Sequence, residues 1–301
     1  MHEGQLRVPA PTVARLVAEQ VPHLADRPVR WVDSSGTVNA IFRVGDGHGA
    51  RFPLVASEVD DVRAQLEREA DAARLLLGRT RFRTPEPVAI GEPGRGYPLP
   101  WSVQTWVPGR DATHDDTRRE AATSDAFADD LAELVLAVRE IPTVGASFTG
   151  PGRGGDLRDH DSWVQECLRR SDGLVDVDRL GVLWARLRDL PPPPGPDVTT
   201  HGDLTPGNVL AADGRLTGVV DVGGLGPADP SLELVGAWHL LDARRRRRLR
   251  TTLGCDELEW ARGAAWALEQ ALGAGWYYVH TNPAMSAMGR RTMEQLLTDG
   301  P

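Results

Sequence analysis

His201-Gly202-Asp203-Leu204-Thr205-Pro206-Gly207-Asn208-Val209-Leu210 lies between two short apolar, β-rich runs, and thirteen residues past Asn208 the run Leu216-Thr217-Gly218-Val219-Val220 ends on Asp221. The spacing offers one carboxylate that can act as a base and two oxygen donors, one neutral and one charged, for a hard cation. Phosphoryl transfer asks for that set: Asp203 to orient the attacking hydroxyl, Asn208 and Asp221 to hold Mg²⁺ on the phosphates. Taken singly, each has a plainer reading. Asp203 would be a loop residue or a helix cap, Asn208 a tight-turn residue, Asp221 a strand end. Their joint spacing favours chemistry.

Working outward, Val13, Leu16, Val17 and Val21 recur at helical spacing until Pro22. Val29-Arg30-Trp31-Val32 and the alternating Val38, Ala40, Phe42 and Val44 predict strands, with Asp46-Gly47 as a hairpin turn and 51–55 as the returning strand. The stripe Val62, Leu66, Ala70, Ala73 and Leu77 predicts a helix from about Glu58 to Leu77, closed by Gly78. Two further strands are expected at 88–90 and 101–107. After Pro108-Gly109 the pattern turns helical, with a buried stripe of Phe127, Leu131, Leu134, Val135 and Val138. A polar loop is expected at 147–160, helices near 161–171 and 178–189, and a stiff connector at Pro191 to Pro194. Beyond the opening stretch, Asp229-Pro230 is a helix start, and helices near 230–242, 243–253, 256–275 and 284–298 complete the chain. The fold class is α+β, with a small β-rich N-terminal lobe and a larger, mostly helical C-terminal lobe. Such a two-lobed layout is expected where a nucleotide binds in a cleft between domains.

Composition removes several alternatives. A net charge of −9, from 34 basic and 43 acidic residues, argues against a nucleic-acid partner, which needs a basic face. The two cysteines, Cys167 and Cys255, stand far apart in no metal-like spacing, so no disulfide framework or zinc site is expected. The N-terminus lacks the basic and apolar regions of a signal peptide, and no run approaches 18 apolar residues. A cytoplasmic, soluble protein with no membrane partner is expected. The five arginines Arg244 to Arg248 read as the solvated face of a helix.

Thr200-His201-Gly202-Asp203 with Gly207-Asn208-Val209-Leu210, followed by Val220-Asp221 and Asp229-Pro230, resembles the aminoglycoside phosphotransferase family, antibiotic and small-metabolite kinases on the protein-kinase-like fold. The resemblance extends over most of the chain, with its specific motifs within 199–234. It implies a bilobal fold with a nucleotide-binding lobe over 1–105 and a catalytic and acceptor-binding lobe over 106–301. It implies transfer of the γ-phosphate of ATP or GTP, with Mg²⁺, to a hydroxyl of a small molecule, an antibiotic such as an aminoglycoside or macrolide first and a sugar or amino alcohol second. Asp203 takes the catalytic position, and Asn208 and Asp221 the metal positions. Val222 stands where the family often has an aromatic residue. His201 and Asp229 take structural positions near the site.

In the N-terminal lobe the pattern is less complete. The fold places a Lys on the third strand against the phosphates, paired with a helix Glu. This chain has Arg51 there, whose fork can hold two phosphate oxygens, with Glu69 as its partner and Glu67 as runner-up. The phosphate-covering loop, with Ser35, Gly36 and Thr37, has a single glycine. Gln104, Trp106 and Val107 fall on the hinge that would bond the purine.

For the acceptor, carboxylates would suit a polyamine-like sugar; Asp156, Asp159, Asp161, Glu233 and Glu269 are candidates. Trp276, Tyr277 and Tyr278, with Met285 and Met288, would suit an apolar scaffold. A different class of reading is a pseudokinase-like binding module, kept open by Arg51 and the sparse glycine loop. A protein kinase proper is disfavoured, because the helix start at Asp229-Pro230 leaves no room for an activation segment.

Overall fold

The computed structural model describes residues 6–32 and 39–301. They divide into two compact units, one of residues 6–32, 39–78, Arg83–Pro108 and Val219–Gly223, the other of Arg79–Phe82, Gly109–Gly218 and Gly224–Pro301. The β-sheet region is N-terminal and the helical region C-terminal.

The first unit contains α1 (Ala10–Gln20), β1 (Val29–Val32), β2 (Asn39–Val44), β3 (His48–Pro53), α2 (Val59–Leu76), β4 (Pro87–Gly91) and β5 (Trp101–Thr105). Its five strands form one antiparallel sheet in the order β1-β2-β3-β5-β4. The alternation in β2 buries Ala40, Phe42 and Val44 on one face. On that face Phe52 stacks on Trp101 with ring centroids 4.9 Å apart, and Phe42 meets Phe52 edge-on. Gly91 is required beside Trp101, since a Cβ there would lie 2.2 Å from the indole. Helix α2 carries Asp60 and Asp61 in its first turn, where the helix dipole favours negative charge, and buries Val62, Leu66, Ala70 and Ala73. It ends one residue earlier than its stripe predicts. Leu77 leaves helical geometry at ψ 126°, so Leu76 is buried and Leu77 is exposed.

The second unit contains β6 (Arg110–Asp111), α3 (Asp115–Thr123), α4 (Asp125–Arg139), α5 (Asp161–Arg170), α6 (Val177–Leu187), β7 (Val198–Thr200), β8 (Val209–Ala212) and β9 (Arg215–Val219, whose last residue belongs to the first unit). It continues through β10 (Gly226–Ala228), α7 (Val235–Leu240), α8 (Ala243–Leu253), α9 (Glu257–Tyr277) and α10 (Pro283–Asp299). Strand β7 pairs with β10, and β6-β8-β9 form a second small sheet. The Asp213-Gly214 turn between β8 and β9 takes φ of +52° and +66°.

Helix α9 is buried on most faces, through Trp260, Ala264, Trp266, Leu268 and Leu272 among others. It meets α10 closely: a Cβ on Gly289 would stand 2.5 Å from Ala271 O. Helix α3 has no sequence signal, because only Thr117 and Ala121 of it are buried. The arginine run corrects an expectation. It is helical, as part of α8, but Arg246 is buried and donates to Leu241 O and Gln295 Oε1, with Asp299 as its ion-pair partner. Five consecutive positions point all round a helix, so one must face inward. Among the described residues no helix is long and apolar enough to cross a membrane.

Candidate active site

The residues quoted first form the turn between β7 and β8. Gly202 takes φ +78°, which a side chain would oppose, and its N–H donates to Glu233 Oε1 at 2.9 Å. Thr205 N then donates to Asp203 O (2.8 Å) and Asn208 N to Thr205 O (3.0 Å), coiling the turn under the buried Leu204. Asp203 and Asn208 are thereby brought together: Asn208 Nδ2 donates to Asp203 Oδ2 at 2.8 Å and to Asp203 O at 2.9 Å. With its nitrogen so engaged, the amide has its Oδ1 left as an acceptor, the atom a hard cation requires.

The other oxygen of Asp203 is held by residues the sequence did not mark. Arg153 Nη2, from the glycine-rich loop after α4, lies 3.1 Å from Asp203 Oδ1, and Gln270 Nε2, from α9, donates to the same atom. Gln270 Oε1 meets His239 Nε2 at 3.0 Å, and His239 Nδ1 meets Thr292 Oγ1 at 3.0 Å. With Gln270 turned so that its nitrogen faces the carboxylate, His239 donates from Nε2, while the Thr292 hydroxyl can serve Nδ1 either as donor or as acceptor. Burial favours the neutral ring, pushing His239 down to about 4. The Asp203 side chain itself stays 40% exposed.

Glu269, next to Gln270 on α9, is buried and accepts from His160 Nδ1 at 3.1 Å, while His160 Nε2 points to Gly152 O at 3.3 Å. Both imidazole nitrogens face acceptors, which matches the protonated ring. The Glu269 hydrogen bond holds the His160 pKa above its ordinary value, against the cost of burial.

In the first unit Arg51 on β3 bridges two carboxylates. Its Nη1 lies 3.2 Å from Glu69 Oε2 on α2, and its Nη2 lies 3.2 Å from Asp221 Oδ1. Glu67 points to solvent instead. Asp221 takes φ +59°, a conformation costly for a side-chain-bearing residue. Its neighbour Gly223 packs on Glu69, where a Cβ would meet Cγ at 2.5 Å. These residues close one end of a narrow cleft whose walls include Leu66, Ala89, Val103 and Gln104. Trp106 N donates to Gly47 O at 2.8 Å, so this N–H is engaged within the unit, and the Trp106 ring lies under Arg43. Val107 is buried beyond it. Ser35, Gly36 and Thr37 lie outside the described residues.

The remaining sequence candidates are engaged elsewhere in the second unit. Asp229 is a buried cap and ion-pair partner: Oδ1 accepts from Ser231 N at 2.9 Å, and Oδ2 lies 2.7 Å from Arg262 Nη2. His201 is buried, with its Nδ1 3.3 Å from Asp203 N. Glu233 is buried too, and that burial raises its pKa against His201 and the Gly202 N–H. Asp156 caps the short helical turn at Arg158 N, and Asp161 accepts from Trp184 Nε1 and Arg188 Nη1. Asp159 is exposed in the same turn. Tyr277 is half-exposed and edge-on to both Trp276 and Tyr278.

A model of the phosphotransferase enzyme family matches residues 32–266. The chain belongs to that family. It is 34% identical over 189 residues to an aminoglycoside 3'-phosphotransferase of Streptomyces fradiae, a match covering 59% of this chain and 65% of the relative. The chain spans about 65% of the length of the first curated relatives it matches. Among solved structures it is similar to APH(2")-IIia in its complex with GDP and kanamycin (19% identity, TM-score 0.70, covering 94% of this chain and 97% of the other). It is also similar to the macrolide 2'-phosphotransferase of Brachybacterium faecium (17% identity, TM-score 0.61, covering 94% and 97%). These structural likenesses establish the fold.

Proposed function

We propose that this protein transfers the γ-phosphate of a nucleoside triphosphate to a hydroxyl of a small molecule. The observation that carries the reading is the Asp203 carboxylate, immobilised by Asn208, Gln270 and Arg153 yet partly open to solvent. A carboxylate fixed in this way can receive or orient a hydroxyl proton without a reorganisation cost at the moment of transfer. Asn208 Oδ1 in the second unit and the Asp221 carboxylate in the first each offer an oxygen suited to Mg²⁺; their chemistry and the 54% exposure of Asp221 fit that ion. When bound, Mg²⁺ would neutralise phosphate charge. Arg51 would hold phosphate oxygens through its fork, and the apolar cleft walls beside Gln104 would take the base of the nucleotide. The names of the relatives, aminoglycoside and macrolide phosphotransferases, support an antibiotic as acceptor. A metabolite kinase is the second reading, favoured by the cation that stands at Asp203.

A coupled assay of diphosphate release over a panel of hydroxyl acceptors, with ATP and GTP in parallel and with or without Mg²⁺, tests this. Acceptor- and metal-dependent turnover is expected. Nucleotide binding without turnover on any acceptor would leave a binding module instead.

A further inference from the structure

Arg153 is placed, not stray. Its loop is tied down on both sides within the second unit: Gly154 O accepts from Asp229 N at 2.9 Å, Gly152 O faces His160, and Phe148 N donates to Asp197 Oδ2 at 2.7 Å. Gly154, at φ +120°, lies so close to Ala228 that a Cβ would meet it at 2.6 Å. The backbone therefore fixes where the guanidinium can reach.

Of the five N–H groups of a guanidinium, one hydrogen bond of Arg153 is formed among the described residues, to Asp203. Nη1 lies 3.9 Å from Glu269 Oε2, beyond hydrogen-bond reach, and Nε is buried without a partner. The side chain is 28% exposed, so the unused Nη donors can be reached from solvent beside the atom that would activate the acceptor. Of the carboxylates that would favour a polycation, Glu269 is engaged by His160, Glu233 by Gly202, and Asp161 by Arg188 and Trp184, while Asp156 caps its own turn and Asp159 stays exposed.

We propose that Arg153 is the acceptor-reading residue of this site, and that the acceptor carries an oxyanion, a carboxylate or phosphate, beside the hydroxyl that Asp203 activates. The inference rests on the phosphotransferase reading. A planar guanidinium with unused parallel donors matches an oxyanion in a two-point contact, whereas an acceptor ammonium would meet like charge at Asp203.

The test measures binding by equilibrium dialysis, and phosphorylation by diphosphate release, for gluconate and glucose 6-phosphate against glucose and kanamycin. Wild type is expected to favour one of the two anions over glucose by at least about tenfold in kcat/KM or in binding; which anion wins separates carboxylate from phosphate. Arg153→Ala should erase that ratio through KM, and Arg153→Lys should restore part of it. Preference for glucose or kanamycin, binding of neither anion, or a ratio that Arg153→Ala leaves unchanged each overturns the proposal. Circular dichroism on each variant identifies loss of fold, and in that case the wild-type ratio alone decides. Slow Mg²⁺-dependent nucleotide hydrolysis, abolished by Asp221→Ala, is read in the same samples. Its absence fails the phosphotransferase reading; its presence without charge preference fails only this inference.

Discussion

Asp221 meets Arg51 at 3.2 Å with 54% of its side chain exposed, whereas Asp229 meets Arg262 at 2.7 Å with 2% exposed. The first pair belongs to the β-rich unit and stands at an open cleft. The second belongs to the helical unit, where Asp229 also caps a helical turn and ties the Arg153 loop through its N–H. An exposed pair is weak and exchanges readily for phosphate or cation. A buried one is costly to break, because the surviving charge is left unsolvated. The contrast shows one unit keeping its charges exchangeable and the other using charge to hold the loops around Asp203 still. Asp203 sits between these regimes, half-open but held on both oxygens.

The sharpest test of that division is Asp203→Asn, which should lower turnover about 10²–10⁴-fold while leaving the melting temperature and nucleotide affinity near wild type. Steady-state kinetics and nucleotide titration check it, and near-normal turnover would remove Asp203 from the chemistry. Asp229→Ala should instead act on stability, costing about 3–5 kcal/mol in denaturant unfolding by orphaning Arg262. An effect below 1 kcal/mol would collapse the contrast between the units.

The pH dependence of the helical unit comes next. Burial holds His239 neutral down to about 4 in the folded state, while the unfolded ring titrates at its ordinary value. Between about 6.5 and 4 the unfolded chain thus binds a proton that the folded one refuses. The stability present above the upper value is lost as pH falls through this window, by up to about 3 kcal/mol. Unfolding curves across that range should flatten in His239→Asn; an unchanged slope would mean the ring is not buried neutral. The smallest effect is expected from Glu69→Gln in the open unit. Stability should change by less than about 1 kcal/mol, while the KM for nucleotide rises as Arg51 loses its support. A stability loss as large as that of Asp229→Ala would again break the comparison.

Some of this was legible in the chain. The two-period and 3.6-period patterns announce β2, α2 and α4, because each buries one face and leaves the other wet. Short or polar elements escape: α3 has almost no buried stripe, and β6 and β10 hold two and three residues. The Asp203, Asn208 and Asp221 spacing points to metal-assisted phosphoryl chemistry because a tight turn fixes the first two by local geometry. Arg51 against Glu69 could be anticipated only through the family resemblance, and the structure adds that Arg51 also reaches Asp221.

By itself the sequence determined the local turn that joins Asp203 to Asn208, the alternating strands and the amphipathic helices. These depend on backbone preference and on the spacing of apolar residues along a few turns. Only the tertiary structure decided which distant side chains surround Asp203: Arg153 from a glycine-rich loop, Gln270 from α9 and, behind it, His239 from α7. It also decided which carboxylates remain available and which are engaged, since Glu233 and Glu269, acceptor candidates in the chain, are buried and hydrogen-bonded within the fold. Long-range burial sets those partnerships, and no periodicity along the chain encodes it.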